Sequence, residues 1–134
     1  MKVRLAENSD FSWLKEHDKH ISEKVLDNKI KTGEIHIIEK DNEIIGWLRY
    51  NFFWDIVPFM NMLEIIDKYR NKGFGKKLVH YWEKIMKEKG HKFVLTSTLS
   101  NEEAQHFYRK IGYIDIGGFT LSEEPLEIIF RKNI

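Results

Sequence analysis

Between residues 69 and 77 the chain carries Tyr69-Arg70-Asn71-Lys72-Gly73-Phe74-Gly75-Lys76-Lys77, a run built to hold an anion. Glycine lets the backbone approach a ligand without a Cβ clash. Successive N–H groups in such a turn can converge on one phosphate, and a helix N-terminus behind them adds a positive dipole. Arg70, Lys72, Lys76 and Lys77 add formal charge. A pyrophosphate is the guest this combination suits. The run is not a nucleoside-triphosphate loop, because no glycine stands five residues before Gly75 and Lys76 is followed by Lys77 rather than Ser or Thr. Nor is it a dinucleotide fingerprint, since Leu78 stands where a third glycine belongs. Taken alone, the run also fits a plain strand-to-helix turn with a solvated basic rim.

The elements around it follow from hydrophobic period and turn chemistry. Strands are predicted at Val3–Ala6, Glu34–Glu39, Ile44–Trp54, Pro58–Ile66, Phe93–Thr98, Tyr113–Phe119 and Leu126–Arg131. Asp41-Asn42 makes a hairpin turn between the second and third strands. Helices are predicted around Phe11 and Leu14, over Ser22–Thr32 with Gly33 as its stop, after Gly75, and over Glu102–Ile111 with Gly112 as its stop. Leu78, Val79, Trp82, Ile85 and Met86 give the third helix one apolar stripe, ended by Gly90. A strand, helix, strand sequence implies a right-handed parallel crossover, and the hairpins on either side imply antiparallel pairing. The expected fold is therefore α/β (α+β): a mixed, mostly antiparallel central sheet with one parallel strand–helix–strand crossover and flanking helices. Ligands of such sheets sit beyond the carboxyl ends of the parallel strands.

Length and composition narrow the partners. At 134 residues the chain is the size of one domain, and 42% hydrophobic with 13% aromatic residues is enough for a core. Lys and Arg number 22 against 21 Asp and Glu, so the surplus of positive charge that phosphate-borne affinity for nucleic acid requires is missing. Cysteine is absent, which removes disulfides, thiolate metal sites and a cysteine nucleophile. No apolar run approaches bilayer length and no secretory h-region opens the chain, so a cytoplasmic protein without membrane contact is expected. His17 and His20 stand at helical spacing without a third ligand, and no metal is expected.

Two motifs together carry a resemblance. Arg70-Asn71-Lys72-Gly73-Phe74-Gly75 matches the Arg/Gln-x-x-Gly-x-Gly/Ala signature of the GNAT family of N-acetyltransferases. Asn101-Glu102-Glu103-Ala104-Gln105-His106-Phe107-Tyr108-Arg109-Lys110-Ile111-Gly112-Tyr113 resembles the second motif of that family: an asparagine, a small residue, Phe-Tyr, then a Gly-aromatic pair. The order of elements from Val3 to Arg131 is similar as well. One departure is Asp67, which stands where many members carry a proline; a turn-forming Asp suits that place.

The resemblance implies acetyl-coenzyme A as acetyl donor and an amine as acceptor. It places the donor pyrophosphate on the backbone amides from Asn71 to Lys76, with Arg70 at the head of the run. The strand around Ile65 would pair with the pantetheine arm as if with another strand, Asn101 would contact the same arm, and Tyr108 would lie near the thioester sulfur. Acyl transfer needs a deprotonated amine, a held oxyanion and a protonated leaving thiolate. Tyr108 is the expected acid for the sulfur, since a phenol with pKa about 10 stays protonated at neutral pH. Glu64 is the candidate base, directly or through water, its alternative being a solvated or salt-bridged carboxylate, and a backbone N–H near Leu63–Ile65 the candidate oxyanion donor. The aromatic run Trp47, Tyr50, Phe52, Phe53, Trp54 and Phe59 is mostly packing, and those of its members that point the other way, near Asn51, Asp55 and Asn61, line an acceptor pocket in which Asp55 anchors an amine charge. The acceptor would be a small molecule or a peptide. A homodimer would form through the apolar final strand. Two other classes fit the same residues: a coenzyme A-binding sensor or interaction module without turnover, and an RNA-binding domain that uses the basic loop.

Overall fold

The computed structural model describes residues 1–134. Seven strands form one sheet: β1 (Lys2–Leu5), β2 (Ile35–Lys40), β3 (Glu43–Phe53), β4 (Val57–Ile65), β5 (Phe93–Leu99), β6 (Ile114–Phe119) and β7 (Glu127–Asn133). Four helices accompany them: α1 (Phe11–His17), α2 (Glu23–Thr32), α3 (Phe74–Glu88) and α4 (Ala104–Lys110). The strand order is β1-β2-β3-β4-β5-β7-β6, and the β4–β5 pair, joined through α3, is parallel. The expected mixed sheet with one parallel crossover is what the chain forms.

By its contacts the chain divides into two compact units. One comprises Met1–Tyr50 and Met62–Tyr81, the other Asn51–Asn61 and Trp82–Ile134.

In the first unit, β1 pairs antiparallel with β2 and β2 with β3. Asp41 and Asn42 both hold positive φ (53° and 64°), the geometry a two-residue hairpin needs and short polar side chains tolerate. Ser22 caps α2 by accepting from the Val25 N–H at 3.3 Å, and Gly33 ends it at φ 73°. The apolar faces of α1 and α2 and the strands close on Ala6, Leu14, Leu26, Ile30, Ile35, Ile37 and Trp47, with Ile21 and Met62 packed against them. Three ion pairs fasten this core. Arg4 bonds Asp10 at 2.7 Å and Glu39 at 2.7 Å. The buried Asp18 accepts from Arg49 at 2.7 Å and from the Trp47 indole at 3.2 Å.

In the second unit, β7 lies between β5 and β6 and is antiparallel to both. This corrects the strand through which a dimer was expected to pair. The apolar final strand is paired on both sides, so its edges are spent inside the sheet. The edge strand on this side of the sheet is β6, all six residues of which are exposed. A buried carboxylate, Glu83 of α3, accepts from the Tyr113 hydroxyl at 2.8 Å and from the Lys132 ammonium at 2.9 Å. The parallel ladder is two residue pairs long, Phe59↔Leu95 and Met60↔Thr96. Strand β5 continues for three residues past its last pair.

Candidate active site

The basic run lies in the first unit. Between β4 and α3 the chain makes a 3-10 turn over Asp67–Tyr69, with the Tyr69 N–H on the Ile66 carbonyl (2.8 Å) and the Arg70 N–H on the Asp67 carbonyl (3.1 Å). Asp67, which stands where the resemblance implies a proline, opens this turn. Asn71 (φ 60°) and Gly73 (φ 88°) are left-handed, and Lys72 between them is not. Alternating handedness of this kind points successive N–H groups into one concavity. A Cβ on Gly73 would meet no atom within 4 Å, so glycine is required there by φ and not by crowding.

Helix α3 begins at Phe74, two residues earlier than the sequence suggests, so Phe74, Gly75, Lys76 and Lys77 form its first turn. The Lys77 N–H reaches back to the Gly73 carbonyl at 3.1 Å. The N–H groups of Phe74, Gly75 and Lys76 therefore have no carbonyl one turn earlier. With the positive end of the helix dipole behind them, they are suited to phosphate oxygens.

Arg70 behaves differently from the expected contributor of free charge. Its Nε donates to the Ile65 carbonyl at 2.8 Å, and its guanidinium pairs with Asp67 at 2.8 Å and with Glu64. It ties the end of β4 to the cradle. The free cations are lysines: Lys68 and Lys72 lie 5.1 and 5.9 Å from the Tyr69 ring, and Lys40 and Lys77 lie 5.6 and 5.9 Å from the Phe74 ring. The two rings meet edge-on at 6.1 Å. Lys77 was visible in the motif. Lys40, far away on β2, carried no signal in the sequence.

Glu64 and Ile65 stand at the end of β4, beside the cradle. Glu64 is half-exposed and engaged by Arg70; Ile65 is buried. Behind them β3 comes unusually close, because a Cβ on Gly46 would lie 2.6 Å from the Glu64 carbonyl oxygen and 2.5 Å from the Ile65 side chain. The alternation of exposure along β4 breaks at Met62, Leu63 and Glu64, all three half-buried.

Asn101 and Tyr108 belong to the second unit. Asn101 is exposed in the turn after β5, where Glu102 accepts from the Leu99 N–H at 2.8 Å and the Gln105 amide donates to the Ser100 and Glu102 carbonyls, both at 2.8 Å. Tyr108 is buried on α4, edge-on to Phe107 (5.2 Å) and Tyr113 (5.5 Å) and tilted against Phe130 (6.2 Å). Burial, then the charge of Glu83 and its hydrogen bond, push the Tyr113 phenol far above its ordinary value.

Of the aromatic run, Trp47 and Tyr50 are buried packing, whereas Trp54 is fully outside at 77% exposure. Asn51 accepts from the Asn61 amide at 2.9 Å, and Asp55 sits exposed at the hairpin tip with φ 64°. His17 stacks on Trp13 at 3.7 Å and bonds its carbonyl, and His106 is exposed near Glu103.

The comparisons with known proteins agree with this fold. A model of the acetyltransferase (GNAT) family matches residues 3–113. The chain belongs to that family. Solved structures share the fold. A GNAT-family acetyltransferase from Bacillus cereus is 24% identical, superposes with a TM-score of 0.80 and is covered over 96% of its length by 98% of this chain. The ribosomal-protein-S18-alanine N-acetyltransferase of Escherichia coli is 15% identical with a TM-score of 0.79, over 99% of this chain and 93% of its own. A protein described as a streptothricin acetyltransferase from Bacillus anthracis, solved with acetyl-coenzyme A, is 24% identical with a TM-score of 0.69 over 75% of this chain and 61% of its own. No curated protein sequence matches the chain. Family membership assigns the reaction class, acetyl transfer with acetyl-coenzyme A as donor. The residues on hand fit that donor: three amides with no helical acceptors one turn back, two left-handed turns that aim them, and lysines around the rim.

Proposed function

We propose that this protein is an N-acetyltransferase that moves the acetyl group of acetyl-coenzyme A onto the amine of a small molecule or peptide, by direct attack within a ternary complex. The observation that carries the reading is the cradle, in which Asn71 and Gly73 turn left-handed immediately before the first, unpartnered turn of α3. Its amides from Asn71 to Lys76 hold the pyrophosphate, and Arg70 positions the end of β4 against it. The backbone of Ile65 pairs with the pantetheine arm, which Asn101 also contacts.

In the chemical step the amine nitrogen forms a bond to the thioester carbon while its proton passes to Glu64, directly or through a water. The resulting oxyanion is held by a backbone N–H of Leu63–Ile65, a contact worth roughly 3 kcal/mol of barrier. The C–S bond then breaks, and Tyr108 gives its phenolic proton to the departing sulfur. Asp55 binds the positive charge of the acceptor. The two compact units act together as one catalytic domain working in the cytoplasm, and one cooperative unfolding transition is the expected signature of the first part of that statement.

The test is an amine panel read by release of the coenzyme A thiol, run on the wild type and on Tyr108→Phe and Glu64→Gln. The expected result is turnover with at least one amine, and a fall in kcat of about 100-fold in Tyr108→Phe with donor affinity unchanged. Glu64→Gln should lower kcat as well, and turnover equal to wild type would remove Glu64 as the base. Tight coenzyme A binding without thiol release for any amine would replace the enzyme by a sensor.

A further inference from the structure

Strand β5 carries two threonines two residues apart, Thr96 and Thr98, and side chains at that spacing share one face of a strand. Both are buried, at 1% and 5% exposure. Their hydroxyls fare differently. Thr96 Oγ1 donates to the Met60 carbonyl of the neighbouring parallel strand at 3.0 Å. Thr98 Oγ1 has no hydrogen-bond partner. The cause is the length of the ladder: Met60↔Thr96 is its last pair, so Thr98 lies beyond the point where the neighbouring strand supplies a carbonyl in register.

A buried hydroxyl with no partner costs the folded protein a desolvation penalty that most native structures avoid, and such a group calls for a specific explanation. The explanation on hand is that its acceptor arrives with a ligand. Thr96 shows what that acceptor is: an amide carbonyl held on an extended chain running alongside β5. The donor of this reaction has such a chain, because its pantetheine arm contains two amides.

We infer that Thr98 is a donor-binding residue whose hydroxyl donates to an amide carbonyl of the pantetheine arm, repeating on the ligand the bond that Thr96 makes to Met60. The inference rests on the assignment of acetyl-coenzyme A as donor. Thr98 lies three residues before Asn101, the residue already assigned to the arm, and pairs with Ile128 on a strand whose Phe130 packs against Tyr108. No sequence motif marks it; a threonine in an apolar strand reads as ordinary β-propensity.

The experiment compares wild type, Thr98→Val, which keeps the shape and removes the hydroxyl, and Thr98→Ser, which keeps the hydroxyl. Each is measured by thermal unfolding without ligand and by calorimetric titration with coenzyme A and with acetyl-coenzyme A. For Thr98→Val the inference expects an unfolding midpoint equal to or above wild type, because an orphaned polar group has been removed. It expects binding of both ligands to weaken about 10-fold, the size of one lost hydrogen bond. Thr98→Ser should bind within about 3-fold of wild type. Unchanged binding by Thr98→Val overturns the inference, as does weakening toward acetyl-coenzyme A alone, which would put the contact on the thioester. A clear drop in the ligand-free midpoint overturns it too, since the hydroxyl would then have a partner in the protein. If wild type itself binds neither ligand, the donor assignment falls along with it.

Discussion

Gly73 is the residue on which the cradle turns, and the reason is conformational. At φ 88° an L side chain is strained, yet the space a Cβ would fill is open. Gly73→Ala should therefore fold, carry about 1 kcal/mol of backbone strain, and relieve it by rotating the amides of residues 73–75 out of line. Its affinity for acetyl-coenzyme A, measured by calorimetry, is expected to fall at least 5-fold. Gly73→Asn should lose less, because asparagine tolerates this region and Asn71 already occupies it two residues earlier at φ 60°. An alanine variant that binds as wild type would show that the amides are not aimed by this residue. Arg70 teaches the complementary lesson. Its type and place suggested a free cation for phosphate, but its guanidinium is committed to Glu64, Asp67 and the Ile65 carbonyl. A motif names the residue without showing which way its charge is spent.

Elements are held in place by buried polar clamps, and the most exacting is Glu83. At 7% exposure it receives the Tyr113 hydroxyl and the Lys132 ammonium, fixing α3, the residue before β6, and β7 in one cluster. Glu83→Ala leaves Lys132 without its counter-charge and the Tyr113 hydroxyl unpaired. It should cost about 3 kcal/mol in urea unfolding, and Glu83→Gln distinctly less because one acceptor oxygen survives. A loss below 1 kcal/mol for the alanine variant would contradict the clamp. Much at this scale was legible beforehand. The stripe from Leu78 to Met86 gave α3, Gly33 and Gly90 marked helix ends, and Asp41-Asn42 marked its hairpin, because each rests on local chemistry. The cradle was legible for the same reason, as a contiguous run of residues. Long-range facts were not. That β7 lies inside the sheet, that Lys40 joins the basic rim and that Thr98 lacks an acceptor all depend on pairing between distant segments, which no local pattern encodes.

For the molecule as a whole, the ionisable groups set a pH window of stability. The hydrogen bonds from Arg4, with the Glu7 N–H in support, hold the Asp10 carboxyl below its ordinary value against the opposing effect of burial. A depressed carboxyl contributes fully above its unfolded value of about 3.9 and is lost as pH falls below it. At the other end, burial and then the charge of Glu34 push the Tyr50 phenol up to about 12. Its contribution is complete below the unfolded value of about 10 and declines as pH climbs from there toward 12. The urea midpoint is thus expected to be flat between these limits, with an acid limb reduced by Asp10→Asn and an alkaline limb reduced by Tyr50→Phe. An alkaline limb identical in Tyr50→Phe and wild type would refute the second assignment.

The most direct test of the account is to follow the backbone amides by ¹⁵N-resolved NMR while acetyl-coenzyme A is titrated in. The amides of Asn71 to Lys76, those of Phe74, Gly75 and Lys76 above all, should show the largest shifts and saturate with the ligand. They should stay in place when acetyl-pantetheine, which lacks the pyrophosphate, is added instead. Saturation by acetyl-coenzyme A with those amides unmoved would contradict the claim that they grip the donor.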